Sequence, residues 1–157
     1  MEWSKVINSP LLQNLPFKIE QNRFGQLLMS PASNRHGMLQ VAIALALSKR
    51  KRGGRIINEC SIQTSDGVKV ADVAWASDAF ITEYSEKTPY PHAPELCIEI
   101  ISPSNSKAAI EFKIELYLAR GAHEVWTVDE KGKLKFYTND GAMKSSKLFP
   151  RFIINLK

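Results

Sequence analysis

The chain reads as an α/β protein built on a mixed central β-sheet flanked by helices. Three observations lead there. The run Leu96-Cys97-Ile98-Glu99-Ile100-Ile101 is apolar on both strand faces apart from one residue, the pattern of a strand covered on both sides. Residues 55–63 and 68–76 are extended runs on either side of an Asp66-Gly67 turn, a hairpin pattern. Helical segments alternate with these runs, so the order is helix, strands, helix, strands.

Taken in order, the residues through Pro16 read as irregular, and residues 17–20 and 26–29 form two short extended pieces around Gly25. Pro31 and Ser33 then open a helix that runs to about Arg52, with Ser33 suited to accept from a first-turn N–H. Its buried face includes His36, Gln40, Ile43 and Leu47, spaced by three or four residues. The hairpin follows Gly53-Gly54, and residues 77–93, with prolines at 89 and 91, read as a polar loop. The strand over residues 95–101 ends at Ser102-Pro103-Ser104-Asn105, where Ser104 or Asn105 caps a helix that stops at Arg120-Gly121. Residues 123–128 and 133–137 are strands about a Glu130-Lys131-Gly132 turn, and residues 151–155 are expected to form a last strand.

At 157 residues the chain is expected to be one domain, residues 1–157. Its longest apolar stretch, residues 41–47, is far too short to span a membrane. The start, Met1-Glu2-Trp3-Ser4-Lys5, lacks the basic and apolar regions of a secretion signal. Cys60 and Cys97 show no zinc spacing, so a reduced cytoplasmic protein is the simplest expectation. A net charge of +5 mildly favours polyanionic partners. The basic run Lys49-Arg50-Lys51-Arg52-Gly53-Gly54-Arg55 has two readings, termination of the helix or contact with phosphates.

Two residues stand out because charge sits where apolar residues belong. Glu99 lies inside the core strand, and a carboxylate there is costly unless paired or bound to metal. Lys113 falls within the apolar arc of the following helix, made by Ala109, Ile110, Phe112, Ile114, Leu116 and Tyr117, while Glu111 and Glu115 point away. Asp72 occupies a third strand, sharing its face with Val70 and Ala74. Neighbouring strands would let Asp72 and Glu99 converge on one hard divalent cation such as Mg2+, with Mn2+ as an alternative. A lysine aimed at that point can orient a water or stabilise a phosphoryl transition state.

Each residue also has a plainer reading: Lys113 snorkelling to solvent, Asp72 bonding a strand-end amide, Glu99 paired with Lys113 or an arginine. His36 and Gln40 would either reach the metal site or serve as satisfied polar groups in the core. There is no P-loop and no GxSxG elbow.

The segments Gly25-Gln26-Leu27-Leu28-Met29-Ser30-Pro31, Val70 to Trp75, Ala93 to Ser104, Lys113 to Tyr117 and Glu124 to Asp129 together resemble the Uma-two family, within the PD-(D/E)XK nuclease superfamily. The resemblance covers residues 17–137. It implies a restriction-endonuclease-like core and Mg2+-dependent endonucleolytic cleavage of DNA. Asp72 and Glu99 would be metal ligands, and Asp72, Glu99 and Lys113 the catalytic set. The superfamily's usual lysine position is Ile101 here, so a helix-borne Lys113 would substitute. Glu20 resembles the family's upstream acid. Ala71 and Glu95 depart from the family's proline and aspartate, as in a divergent member. The alternative is a nuclease fold of little activity that serves as a nucleic-acid-binding or interaction module. A homodimer is compatible with the superfamily, although no residue pattern specifies one.

Overall fold

The computed structural model describes residues 2–50 and 52–156, so Met1, Lys51 and Lys157 lie outside the description. A six-stranded sheet carries the strands in sequential order: β3 (Arg55–Thr64), β4 (Gly67–Ala76), β5 (Leu96–Ile100), β6 (Glu124–Val128), β7 (Leu134–Thr138) and β8 (Gly141–Met143). All neighbours are antiparallel except β5 and β6, which run parallel and are joined by helix α4 (Lys107–Ala119). A parallel pair needs such a crossover, whereas β3 and β4 turn tightly at Ser65-Asp66.

The two faces of the sheet are covered by different elements. On one face Leu39, Ile43 and Leu47 of α2 (Asn34–Ser48) pack with Val73, Leu96, Ile98, Trp126 and the C-terminal Phe149 and Phe152. On the other, Ile114 and Tyr117 of α4 and Phe80 of α3 (Asp78–Tyr84) pack with Ala74, Cys97 and Val125. The alternation expected for β5 is seen: Cys97 belongs to one cluster, Leu96, Ile98 and Ile100 to the other.

A separate antiparallel pair, β1 (Phe17–Gln21) and β2 (Leu27–Pro31), leans on β4. Ile19 and Leu27 pack with Val68, Val70 and residues Trp3 and Val6 of the short helix α1 (Trp3–Ile7). The N-terminal stretch expected to be irregular thus holds α1 and a 3-10 turn (Pro10–Leu12), which close that satellite core. The hairpin end backs directly onto Gly67, at φ 78°, where a Cβ would stand 2.4 Å from the Gln21 carbonyl oxygen. Only glycine lets the two turns approach so closely.

Ser33 caps α2 as expected, accepting from the His36 N–H at 3.1 Å, but the helix ends at Ser48 rather than near Arg52. Ser106, not Ser104 or Asn105, caps α4, because the Asn105 side chain accepts from the Ser102 N–H instead. The polar loop over residues 77–93 contains α3, whose cap Ser77 hydrogen-bonds Glu95. Residues 151–155 do not form the expected strand among the described residues; Phe152 and Ile154 pack on the sheet instead. Arg50 and Arg52 donate to the carbonyls of Arg151 and Leu148 and lie over Phe152 and Phe149. Those two arginines of the basic run therefore anchor the tail, a role that neither helix termination nor phosphate contact anticipated; Lys51 of the run lies outside the described residues.

Candidate active site

Asp72 sits where three hydrogen-bond patterns part company. The β3–β4 ladder pairs Asn58 with Val73 and Cys60 with Ala71 but skips Glu59 and Asp72. Glu59 takes φ 53°, unusual for a side-chain-bearing residue, and the Asp72 carbonyl accepts instead from Gln40 Nε2 at 3.1 Å. Gln40 also reaches Glu59 Oε1 at 2.5 Å. On the other side, the β4–β5 ladder stops at Val73–Ile98, and Asp72 Oδ2 accepts the Ile100 N–H at 2.7 Å. The strand-end hydrogen bond and the carboxylate cluster coexist, because they use different oxygens.

Asp72 Oδ1 points into that cluster, 2.8 Å from Lys18 Nζ and 3.2 Å from His36 Nε2. Glu99 Oε1 accepts from Tyr117 Oη at 2.7 Å and Lys113 Nζ at 3.0 Å, and its Oε2 lies 3.5 Å from Lys18 Nζ. Lys113 also reaches Glu20 Oε1 at 2.8 Å, and Glu20 accepts the Val70 N–H. Asp72 and Glu99 are 1% and 3% exposed, so these contacts replace hydration almost entirely.

Burial acts differently on the three acids. It opposes ionisation of Asp72, yet Lys18 and His36 outweigh it and hold that carboxyl well below the usual range. Glu20 is lowered too, against burial, by Lys113 and Lys18. At Glu99 burial wins: with Asp72 and Glu20 nearby, its pKa is raised despite both lysines. His36 is raised by its hydrogen bond to Asp72, against burial. The carboxylates likewise overcome burial at Lys18, whose ammonium is held firmly charged.

The structure therefore brings Asp72, Glu99 and Lys113 together, with His36, Gln40 and Glu20 at their edge. Lys113 is directed inward, although the arc around it is incomplete: Phe112 is 43% exposed and Ala109 also faces solvent. Three participants escape sequence reasoning. Glu59 was accessible in principle, since counting back from the β3–β4 turn sets it opposite Asp72. Tyr117 looks merely apolar in the helix arc. Lys18 arrives from a hairpin whose docking no local pattern announces. Cys97 is buried and its thiol is pushed well up by that burial, the opposite of an activated thiolate.

The donor set suits a divalent cation. A His36 ring nitrogen, a Glu59 oxygen and an Asp72 oxygen lie within 4.8 Å of one another, and Glu99 Oε2 faces Asp72 Oδ1 across a bound ammonium. Oxygens with a single imidazole fit Mg2+ or Mn2+ better than a thiol-binding metal.

This layered fold, with an acid-and-lysine cluster where its central strands diverge, is that of a nuclease-like α/β core. A family model described as "Putative restriction endonuclease" matches residues 10–150, and the chain belongs to that family, Uma2. A solved structure described as a putative nuclease of DUF820 from Anabaena variabilis is similar to it, with a TM-score of 0.60 and 20% identity. That likeness covers 76% of this chain and 71% of the other. No curated protein matches the chain.

Proposed function

We propose that the protein is a metal-dependent endonuclease that hydrolyses DNA phosphodiester bonds. The observation that supports this most is the convergence of Asp72, Glu99 and Lys113, from two strands and a helix, in one buried cluster. Asp72 and Glu99 would hold Mg2+ or Mn2+, with His36 and Glu59 within reach beside Asp72. Bound there, the cation would supply Lewis acidity and neutralise phosphate charge.

The chain's own residues would do the positioning. Lys113 directs two of its three ammonium protons at Glu20 and Glu99, and the third is suited to a phosphate oxygen or the attacking water. Tyr117 and the Ile100 amide fix the carboxylates by their outer oxygens. A net charge of +5 favours a polyanionic substrate.

The second reading, a binding module with little catalysis, is favoured by one observation: Lys18 lies between the two proposed ligands. Supercoiled plasmid incubated with Mg2+ or Mn2+ separates the two. Nicking or linearisation by the native chain, lost in Asp72→Asn, Glu99→Gln and Lys113→Met, supports the nuclease. Salt-sensitive DNA binding without cleavage would leave the module.

A further inference from the structure

We propose that Lys18 holds with its own ammonium the position a divalent cation takes between Asp72 and Glu99, so that metal enters by displacing it and Lys18 sets the metal affinity of the site. The inference rests on the metal-centre reading above. Of the four oxygens on the two carboxylates, Asp72 Oδ2 is bound to the Ile100 amide and Glu99 Oε1 to Tyr117 and Lys113. The remaining oxygens are Glu99 Oε2 and Asp72 Oδ1, the latter also met by His36 Nε2 at 3.2 Å, and these would be open to a divalent cation once the ammonium left. Lys18 Nζ touches both, at 2.8 Å and 3.5 Å.

Charge points the same way. With all three acids counted as ionised and His36 as neutral, Glu20, Asp72 and Glu99 exceed Lys18 and Lys113 by one negative charge. Exchange of the Lys18 ammonium for a divalent ion balances the cluster. An ammonium and a metal ion cannot share the gap, because both are cations and both need the same lone pairs.

The backbone is suited to such an exchange. Ile19 anchors β1 in the apolar cluster with Val68 and Val70, so the hairpin holds the Lys18 Cα in place. The four-carbon stem carries the rotatable bonds that such an exchange needs.

The test is Mn2+ titration by calorimetry into the native chain, Lys18→Met and Lys18→Arg. Lys18→Met removes the competitor and is expected to bind at least about tenfold tighter, as when the binding-competent fraction rises by that factor. Lys18→Arg keeps the charge and is expected to stay as weak as the native chain. Saturating Mn2+ should also raise the melting temperature of Lys18→Met more than that of the native chain.

Equal or weaker binding by folded Lys18→Met overturns the proposal while leaving the metal centre intact. Absence of Mn2+ binding in both folded chains overturns the metal centre, and the proposal with it. Should Lys18→Met be unfolded without metal, refolding is followed by circular dichroism as Mn2+ is added. Metal-driven refolding at concentrations below those that saturate the native chain supports the exchange, and its absence overturns it.

Discussion

Glu124 on β6 stands opposite Leu96, three residues before the partner of Glu99, and these two buried glutamates are held in opposite ways. Glu124 accepts from four uncharged donors: Trp126 Nε1 at 2.8 Å, Ser146 Oγ at 2.6 Å, and the amides of Lys147 at 2.7 Å and Leu148 at 3.0 Å. Glu99 accepts from a phenol and faces two ammonium groups, each at the end of a long lysine side chain. The first arrangement is scaffold, and the second is suited to chemistry.

Glu124→Ala is therefore expected to cost about 3 kcal/mol or more, since it strands two backbone amides and frees the segment that carries Phe149. Urea unfolding followed by tryptophan fluorescence measures it. A loss under about 1 kcal/mol would show that water replaces the carboxylate and that the segment is held by its aromatic residues alone.

Glu99→Gln is expected to behave differently. Because burial raises the Glu99 pKa, the folded chain holds its proton more tightly than the unfolded chain does. The ionised form of Glu99 therefore works against folding of the metal-free protein. The substitution should leave stability unchanged or raise it by about 1 kcal/mol, while abolishing cleavage and metal binding. Destabilisation beyond about 2 kcal/mol would mark Glu99 as a structural ion-pair partner instead.

The same shifts predict a stability maximum in mildly acidic solution for the metal-free chain. Asp72 and Glu20 are lowered, so their contribution is present above the ordinary carboxylate range, about pH 4, and is lost as pH falls below it. Glu99 and His36 are raised, so theirs is present below about pH 4 and about pH 6.5 respectively and fades as pH rises. Denaturation midpoints between pH 2.5 and 8.5, in steps of about half a unit, should trace a dome. Asp72→Asn should flatten its acid limb, and Glu99→Gln with His36→Asn its alkaline limb. A native curve that rises steadily to pH 8 would contradict these assignments.

How far the sequence reaches depends on whether a feature is local. The β5 strand, the Ser33 cap and the chain reversal near Gly67 are written in adjacent residues, and they appear nearly where expected. Asp72, Glu99 and Lys113 were legible because a charge in an apolar frame is conspicuous within one element. Lys18 was not, since nothing around residue 18 encodes that Ile19 will dock on Val68 and Val70. Helix α3 was missed for a related reason: its seven residues are flanked by Ser77 and Ser85, and Phe80 is buried by packing on residues distant in sequence, among them Ala74, Tyr90 and Cys97. The tail alternates like a strand at Phe152 and Ile154, but no neighbouring edge accepts it.

Tyr117 offers the sharpest separation of support from chemistry. Its hydroxyl donates to Glu99 Oε1 at 2.7 Å from within the core, and burial keeps it protonated, with its pKa raised well above that of a free phenol. It can orient Glu99 but cannot reach a substrate. Tyr117→Phe keeps the ring, and Lys113 still holds the same oxygen at 3.0 Å, so the cost to stability should be about 1–2 kcal/mol. Loss of a partner that orients a metal ligand typically lowers metal affinity by about 10–100-fold. The expectation is therefore weaker Mn2+ binding by calorimetry, with cleavage restored in part by excess metal. Rescue by metal is the deciding readout, because a catalytic proton donor would stay silent at any metal concentration. Unchanged affinity in Tyr117→Phe would assign the orientation of Glu99 to Lys113 alone.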